Sequence, residues 1–281
     1  MFTMLFLQCF HMFLYFRLLM EKSKKIQKIG FIGSGKVATN MAMSFENNGF
    51  EITQIFSPNI KHSQKLAEKV NAESIASISG FNKNLDIIII SISDTAVSQL
   101  DLASIEENTL ICHTSGSLDI SILSERKNYG VFYPLQTFSN QRYIVFSNIP
   151  ICVEANNNTN LERLLKLGLG ISKNVSEINS QKRSTLHLAA VFVCNFTNAM
   201  YAIGEDILQD ADIDFNLLRP LIDETANKVK HHSPNKMQTG PALRGDTIIM
   251  NKHIEALNKR SNYMTVYKLM SKIINEENKT K

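Results

Sequence analysis

The sequence predicts an α/β protein in which an N-terminal doubly wound sheet is followed by an all-helical C-terminal domain. Three observations support this prediction. A strand, a glycine turn and a helix follow one another at residues 28–40, and short apolar runs then alternate with helical segments as far as residue 153. After the Asn-rich stretch 155–160, helical patterns dominate. Strands and helices that alternate at this spacing are typical of a parallel sheet with helices on both faces.

The first strand and helix are joined by a turn of the form G-x-G-x-x-A. Gly33 permits the sharp turn, Gly35 lets a pyrophosphate approach the backbone, and Ala38 lets the helix pack closely on the strand. The free amides at the helix start, aided by the helix dipole, suit phosphate groups. The pattern therefore predicts a Rossmann-type dinucleotide site, with cofactor contacts from Gly33, Ser34, Gly35, Lys36 and Val37.

Residues 30–36 also fit G-x-x-x-x-G-K, the beginning of a P-loop. A P-loop needs Ser or Thr at the next position to reach magnesium, and this chain has Val37 there. Phe31 and Ile32 also have the character of a strand and not of a phosphate-binding loop. Dinucleotide binding is therefore favoured over a P-loop, with an ordinary glycine turn as the other alternative.

Composition narrows the classes of function. The chain has 281 residues, 44% of them hydrophobic and 20% charged, which suits a globular protein of two domains. Its formal charge is only +4, and no basic stripe is interleaved with aromatic residues, so a nucleic-acid partner is not expected. The four cysteines lie far apart without a C-x-x-C pair, which argues against structural zinc or a disulfide framework and favours the cytoplasm.

Three segments are predicted: residues 1–24, an apolar N-terminal extension; residues 25–155, the Rossmann domain; and residues 156–281, the helical domain. The extension is interrupted by Gln8, His11 and Arg17, and it lacks the basic start and small-residue cleavage site of a signal peptide. We expect it to be an upstream extension of the reading frame that the folded body does not need. A membrane anchor is the alternative, and a membrane partner is expected only in that case.

The end of the second predicted strand, residues 50–56, bears on the choice of cofactor. NAD-preferring sites usually place an acidic residue here to bond the ribose 2′-hydroxyl. This chain instead has Ser57, Asn59 and Lys61, and small polar and basic groups suit a 2′-phosphate. The cofactor is therefore predicted to be NADP. Asn59 is also well placed to cap the helix that begins at Ile60, and the two roles are compatible.

Polar residues follow two further predicted strands, residues 87–90 and 109–112. A dinucleotide crosses the carboxyl ends of the strands in such a sheet, so these loops are predicted to contact the cofactor. The residues concerned are Ser91, Ser93, Asp94, His113 and Ser115. Asp94 is also expected to cap the helix that follows it.

A long helix is predicted at about residues 181–209, and it is strongly apolar between residues 188 and 196. Such a helix is expected to be buried against other helices or a second subunit. On a regular helix His187 and Asn195 differ by about 80° around the axis, so one broad face can present both to a cleft. His187 is a candidate proton donor and Asn195 a candidate for orienting the substrate. A core histidine and a helix–helix hydrogen bond are the structural alternatives.

Arg244 and Asp246 lie in the stretch QTGPALRGD. Asp246 is expected to cap the helix that begins near Thr247. Arg244 is a candidate clamp for a substrate carboxylate, with pairing to Asp246 or a dimer contact as alternatives. His231 and His232 are adjacent on a helix, where neighbours point about 100° apart, so they are expected to form a solvated helix end, and no metal site is predicted.

Five motifs give the chain a family resemblance: IGFIGSGKVA, HTSGSL, YPLQTF, HLAAVFVCNF and QTGPALRGD. With these motifs it resembles the Rossmann-like proteins with a C-terminal DUF2520 domain, which are relatives of the NADP-dependent pyrroline-carboxylate, ketopantoate and 6-phosphogluconate type reductases. The family usually has His before PLQTF, where this chain has Tyr133, so a role for an imidazole at that position is in doubt. The resemblance implies a nicotinamide-binding domain, a helical domain that often dimerises, and a site between them.

Two classes of function stay open from the sequence. The first is an NADP-dependent oxidoreductase that transfers a hydride between nicotinamide and a small keto acid, imine or related substrate, with His187, Asn195 and Arg244 as the catalytic candidates. The second is a non-catalytic dinucleotide-binding sensor or scaffold. The partners expected are a small-molecule substrate and a second copy of the chain, bound through the helical domain.

Overall fold

The structure is a computed structural model, and it describes residues 26–139 and 144–279. The predicted N-terminal extension therefore lies outside the described residues. The chain divides into two compact units, Met1–Cys194 and Asn195–Lys281, and each is described by itself.

Within the described residues, eight strands form one sheet in the order β3-β2-β1-β4-β5-β6-β7-β8. Neighbouring strands are parallel except β6 and β7, which are antiparallel. The doubly wound sheet predicted from the sequence is thus confirmed. The strands are β1 (Lys28–Ile32), β2 (Glu51–Phe56), β3 (Glu73–Ile75), β4 (Ile87–Ile90), β5 (Leu110–His113), β6 (Tyr129–Pro134), β7 (Ile151–Ala155) and β8 (Val175–Glu177).

Helices and short 3-10 turns connect these strands. Gly49 has a φ of +82° just beyond the end of α1, a backbone conformation that favours glycine and ends the helix. The helices of the first unit are α1 (Lys36–Asn47), α2 (Ile60–Lys69), α3 (Asp94–Val97), α4 (Asn158–Leu169) and α5 (Ser180–Ala190).

Strand β4 shows why its sequence is a continuous apolar run. Ile87 and Ile89 belong to the hydrophobic cluster that includes α1, whereas Ile88 and Ile90 belong to the cluster on the opposite face. Successive side chains of a strand point to opposite faces, so a strand covered on both sides needs apolar residues at every position. The carboxyl end of this strand is thereby fixed in the middle of the sheet.

The sheet continues beyond residue 155, where the predicted Rossmann domain ends. Helix α4 packs on the sheet through Leu164 and Leu167, and β8 pairs in parallel with β7. The division between the compact units consequently falls later, between Cys194 and Asn195. Within the Asn-rich stretch before α4, Asn157 caps α4 and Asn156 bonds back to the loop before β6.

A buried arginine fixes the start of α5 to the sheet. Arg183 is 0% exposed, and its Nη1 lies 2.5 Å from Oε2 of Glu154 on β7. Its Nη2 donates to the carbonyl of Leu118, in the loop that follows β5. The Ser180 hydroxyl donates to Glu154 and accepts from the backbone amide of Ile120. The network therefore joins α5, β7 and the loop after β5.

The long helix predicted at residues 181–209 is present but not regular. A π-helical segment, Val191–Phe196, separates α5 from α6 (Thr197–Gln209). A π-helix closes i→i+5 hydrogen bonds, so the step of 100° per residue does not hold across this segment. The prediction that His187 and Asn195 share one face relied on that step and has lost its geometric basis.

Among the described residues, one helical stretch, Ser180–Gln209, has the length and composition of a membrane-spanning helix. These two properties alone do not establish a span, because core and interface helices of soluble proteins share them. The stretch also contains the buried Arg183, which bonds to the sheet.

The second unit is all-helical, as predicted. Asp246 caps α10, since its Oδ1 accepts from the amide of Ile249 at 3.2 Å, which confirms the cap expected at this position. Arg260 pairs with Asp210 at 2.7 Å and thereby ties the start of α11 to the end of α6. His231 and His232 are exposed. The remaining helices are α7 (Arg219–His231), α8 (Pro234–Met237), α9 (Pro241–Arg244), α10 (Thr247–Ala256) and α11 (Ser261–Lys279).

Candidate active site

The turn after β1 depends on a residue without a side chain. Gly33 has a φ of +110°, which L side chains rarely adopt, and its amide donates to the carbonyl of Phe56 at 2.8 Å. A Cβ atom at this position would lie 2.2 Å from the carbonyl oxygen of Ser91. The backbone at the end of β1 is therefore pressed against the end of β4, and only glycine fits.

Gly35 serves a different purpose. Its φ of −72° is ordinary, so conformation does not require glycine here. A Cβ atom at Gly35 would meet no atom within 4 Å, and the residue stands at the N-cap of α1. The open space beside free amides at a helix start fits an approaching pyrophosphate. The residues of this turn therefore fit the dinucleotide that the sequence predicted.

The turn opens onto a cleft of about 500 Å³ in the first unit. Its walls are formed by the start of α1, the loops after β4 and β5, the end of β6, and α5. Most of the predicted site residues of the sheet meet here. Lining residues already predicted are Gly35, Lys36, Val37, Ser91, Ser93, Asp94, Ser115 and His187, and lining residues not in the predicted set include Thr114, Gly116, Ser117, Tyr133, Gln136 and Phe138.

Asp94 does not cap α3, contrary to the prediction. Ser93 occupies the N-cap position without a side-chain cap bond, and Asp94 is the first residue of the helix. The Oδ2 atom of Asp94 instead accepts from the hydroxyls of Ser115, at 3.0 Å, and Ser117, at 2.5 Å. The loop after β5 brings two hydroxyls to the carboxylate, and they take the place of the backbone amide.

His113 was predicted to contact the cofactor, but it does not line the cleft. Its side chain is 0% exposed, and its Nδ1 accepts from the backbone amide of Ser115 at 3.2 Å. Burial, together with the nearby charge of Arg183, lowers the pKa of His113 from 6.5 to about 4. The imidazole is therefore neutral at pH 7, and it supports the loop that carries Ser115.

A tyrosine and a histidine form a hydrogen-bonded pair in the cleft. The hydroxyl of Tyr133 lies 3.1 Å from Nδ1 of His187, and the two rings meet edge to face. A Cβ atom at Gly116 would lie 2.6 Å from the imidazole ring, so the histidine fits only beside a glycine. Burial raises the pKa of Tyr133, which keeps its phenol protonated. This pair was not predicted from the sequence. The departure from the family pattern at Tyr133 was the feature of the sequence that marked this position as unusual.

A second cavity lies beside the cleft. Neither the cleft nor this cavity is lined by the residues predicted to read the 2′-phosphate, which are Ser57, Asn59 and Lys61. The side chain of Asn59 accepts from the amide of Lys61 at 3.1 Å, which confirms the expected helix cap. The neighbouring cavity, of about 510 Å³, lies between α1 and α2 and is lined by basic residues that the sequence reasoning did not single out: His62, Lys65 and Lys69, beside Ser34 and Lys36.

Asn195 and Arg244 belong to the second unit, and the side chains of both are exposed. Pairing with Asp246 was one of the structural alternatives for Arg244. No such ion pair is present among the described residues. The roles of Asn195 and Arg244 toward a substrate stay predictions.

The two glycines of the turn should respond differently to the same substitution. Gly33→Ala is expected to lower the free energy of unfolding by at least about 2 kcal/mol, because the backbone is strained for alanine and the methyl group meets Ser91. Gly35→Ala should change stability by less than about 1 kcal/mol and yet abolish NADP binding. Chemical denaturation and calorimetric titration measure the two effects. Equal losses of stability would contradict the assignment of Gly35 to a ligand.

His113 should make stability fall in mild acid. Its pKa is lowered in the folded protein, so the unfolded chain binds a proton first as the pH drops. The contribution is complete above pH 6.5 and is lost as the pH falls toward about 4, by roughly 3 kcal/mol. Denaturation between pH 7 and pH 4 should therefore show a smaller loss of stability in His113→Gln than in the wild type. The exposed His62→Gln is the matched control and should retain the wild-type loss.

Two family models match the chain. Residues 149–274 match a domain of unknown function, DUF2520, and residues 28–112 match the family described as NADP oxidoreductase, coenzyme F420-dependent. A search of curated proteins gives no match to this sequence. The first model covers strands β7 and β8 and the helices that follow from α4 onward, whereas the second covers the glycine turn and strands β1 to β5.

Solved structures extend the comparison to nearly the whole chain. The putative NADP oxidoreductase BF3122 from Bacteroides fragilis is 37% identical with a TM-score of 0.85, and the match covers 89% of this chain and 98% of that one. An imine reductase from Myxococcus stipitatus in complex with NADP⁺ is 15% identical with a TM-score of 0.62, covering 90% of this chain and 94% of its own. A reductive aminase from Aspergillus terreus in complex with NADPH is 15% identical with a TM-score of 0.64, covering 90% and 95%.

The two proteins at 15% identity show the shared fold alone. The NADP oxidoreductase model and the Bacteroides relative agree with NADP as the cofactor predicted from the sequence. At 37% identity over 89% of the chain, the relationship to the Bacteroides protein is close enough to show a common family. The protein therefore belongs to the Rossmann-like NADP oxidoreductases that carry a DUF2520 domain.

Proposed function

We propose that this protein is an NADP-dependent reductase that delivers a hydride to a small compound with a polarised C=N or C=O bond. The observation that carries the proposal is the composition of one cleft of about 500 Å³. It contains both the start of α1, at Gly35 and Lys36, and the hydrogen-bonded pair of Tyr133 and His187. A dinucleotide site and a proton-donating pair in the same cleft are the two requirements of a reductase.

The turn residues would hold the pyrophosphate of the cofactor at the amides of Gly35, Lys36 and Val37. Ser91 and Ser93, after the end of β4, line the cleft and would lie along the path of a dinucleotide across the strand ends. Ser57, Asn59 and Lys61 are proposed to contact the 2′-phosphate, with the basic groups of the neighbouring cavity. When bound, the cofactor supplies the hydride.

Reduction also requires a proton, because the substrate nitrogen or oxygen gains electron density when a hydride reaches its carbon. The raised pKa of Tyr133 keeps a phenolic proton available at neutral pH. His187 can accept that proton or replace it, since either atom of the 3.1 Å contact can act as the donor. The pair is therefore proposed as the general acid of the reaction.

A non-catalytic sensor or scaffold is the other class of function that the sequence allowed. A binding protein of that kind would be expected to have a cleft lined only by apolar groups. This cleft instead contains Asp94, four serine or threonine hydroxyls besides Ser91, and the Tyr133–His187 pair. The polar lining supports the enzyme over the sensor.

Two features of the second unit belong to the proposal. Asn195 is proposed to orient the substrate, and Arg244 is proposed to bind a substrate carboxylate where one is present. Kinetics of Asn195→Ala and Arg244→Ala test these roles, since a change in neither kcat nor KM would remove both residues from the site.

The cytoplasm is the proposed location, because cysteines such as Cys112 and Cys152 are free and buried.

A screen for substrates tests the proposed function. Loss of NADPH absorbance should be followed with keto acids, imines and aldehydes, and at least one class should give turnover. His187→Ala should then lower kcat by about a hundredfold and leave NADP affinity unchanged. His253 is a matched control, because its Nδ1 pairs with the hydroxyl of Tyr267 at 2.9 Å in the second unit. His253→Ala should leave kcat unchanged. NADP binding without turnover in any class would favour the sensor.

A homodimer is also proposed, because large apolar side chains are exposed along the long helix and in the second unit. Leu188 and Val193 expose 60% and 75% of their area, and Leu217 and Ile248 expose 72% and 71%. Exposed apolar surface of this kind marks association sites. Sedimentation should show a dimer that Val193→Glu dissociates, whereas Ile60→Glu on α2 should not affect it. A wild-type monomer at micromolar concentration would contradict this assembly.

A further inference from the structure

We infer that the carboxylate of Asp94 selects a positively charged substrate, so that the proposed reductase acts on a protonated imine and not on an anionic keto acid. The inference rests on the proposed function and narrows its substrate class. It uses three observations: the fixed position of Asp94 in the cleft, the lack of a cationic partner for it, and the distribution of the other charges around the cleft.

The carboxylate is held in place by a preorganised loop. The hydroxyl of Ser115 donates to Oδ2 of Asp94 and also accepts from the backbone amides of Ser117 and Leu118, at 3.1 and 3.0 Å. The amide of Ser115 is in turn bonded to the buried His113. Because these hydrogen bonds hold the loop and the Oδ2 atom of Asp94 in place, the carboxylate does not need to reorganise to meet a ligand.

The other oxygen of the carboxylate is available. In the described part of the chain, both hydrogen bonds to the Asp94 side chain reach Oδ2, and no lysine, arginine or histidine forms an ion pair with it. Asp94 is half-buried and lines the cleft. A partly desolvated carboxylate gains most from a partner that carries a positive charge and an N–H donor.

The other titratable groups that line the cleft do not neutralise Asp94. Lys36 begins α1 beside Gly35 and lines the cleft, and its charge would pair with the phosphates of the proposed cofactor. Tyr133 is a neutral phenol, and His187 is engaged with it. Among the residues that line this cleft, Asp94 is thus the charged group without a counter-ion, and it would attract an iminium nitrogen and repel a carboxylate placed beside it.

The chemistry of an iminium ion matches this charge. A bound NADPH would supply the hydride for the new C–H bond at the iminium carbon and become NADP⁺, and the π electrons of C=N would move onto nitrogen. The neutral amine that results takes a proton from the Tyr133–His187 pair or from water and becomes an ammonium ion. A ketone would instead place negative charge on oxygen during the transfer, and a nearby carboxylate opposes that charge.

Binding of three matched ligands to the NADP-loaded protein tests the inference without turnover. Cyclohexylammonium, cyclohexanol and cyclohexanecarboxylate have similar size and differ in charge, and their dissociation constants can be measured by calorimetry. The ammonium ion should bind at least tenfold more tightly than the alcohol, and the carboxylate should bind most weakly. Asp94→Asn should remove the preference for the ammonium ion. Asp101→Asn makes the same change of charge at an exposed position that does not line the cleft and should keep the preference.

Two outcomes would overturn the inference. The first is equal binding of ammonium ion and alcohol by the wild type, which needs no variant to fold. The second is a tenfold or greater loss of NADP affinity in Asp94→Asn, since that result would assign the carboxylate to the cofactor. If the ammonium preference is found but no substrate is reduced, the proposed function fails while the charge selectivity of the cleft stands, so the two failures are distinguishable.

Discussion

The ion pair between Arg183 and Glu154 is the interaction on which the cleft depends. A buried guanidinium is costly unless its charge is paired and hydrogen-bonded. The two Nη groups of Arg183 bond to Glu154, the Leu118 carbonyl and Ser180, while its Nε has no hydrogen-bond partner among the described residues. His187 lies four residues further along α5, on the same side of the helix. Fixing Arg183 against the sheet therefore places the imidazole of His187 in the wall of the cleft. There it bonds to the Tyr133 hydroxyl and packs against Gly116.

The same arginine influences the electrostatics around the cleft. Its charge contributes, after burial, to the lowered pKa of His113, so this imidazole stays neutral and can accept the Ser115 amide. For Tyr133 the arginine acts against burial, yet burial prevails and the pKa of the phenol is raised. One buried cation thus helps to keep the supporting histidine uncharged, while the negative charge of Asp94 is left facing the ligand space.

Much of the first unit could be predicted from the sequence because its signals are local. The glycine turn, the β4 isoleucines and the Asn59 cap each depend on residues within a few positions, as does the Asp246 cap of the second unit. Strand β3 (Glu73–Ile75) was not predicted, because three residues show no alternation and the strand exists through pairing with β2. The bonds from Asp94 to Ser115 and Ser117 span more than twenty residues, and the π-helical segment has no period of its own. Such features follow from tertiary contacts, so a single sequence does not reveal them.

The departure at Tyr133 shows how a sequence anomaly gains meaning from its neighbour. The family resemblance implies an imidazole at this position, and tyrosine left any acid–base role in doubt. In the structure the Tyr133 hydroxyl meets the imidazole of His187, and the ring has space because residue 116 is glycine. An imidazole is therefore present at this point of the cleft, supplied by His187 of α5. The phenol, buried and protonated, lines the cleft beside that imidazole and can act as a donor, so the two side chains together can supply a proton at this point.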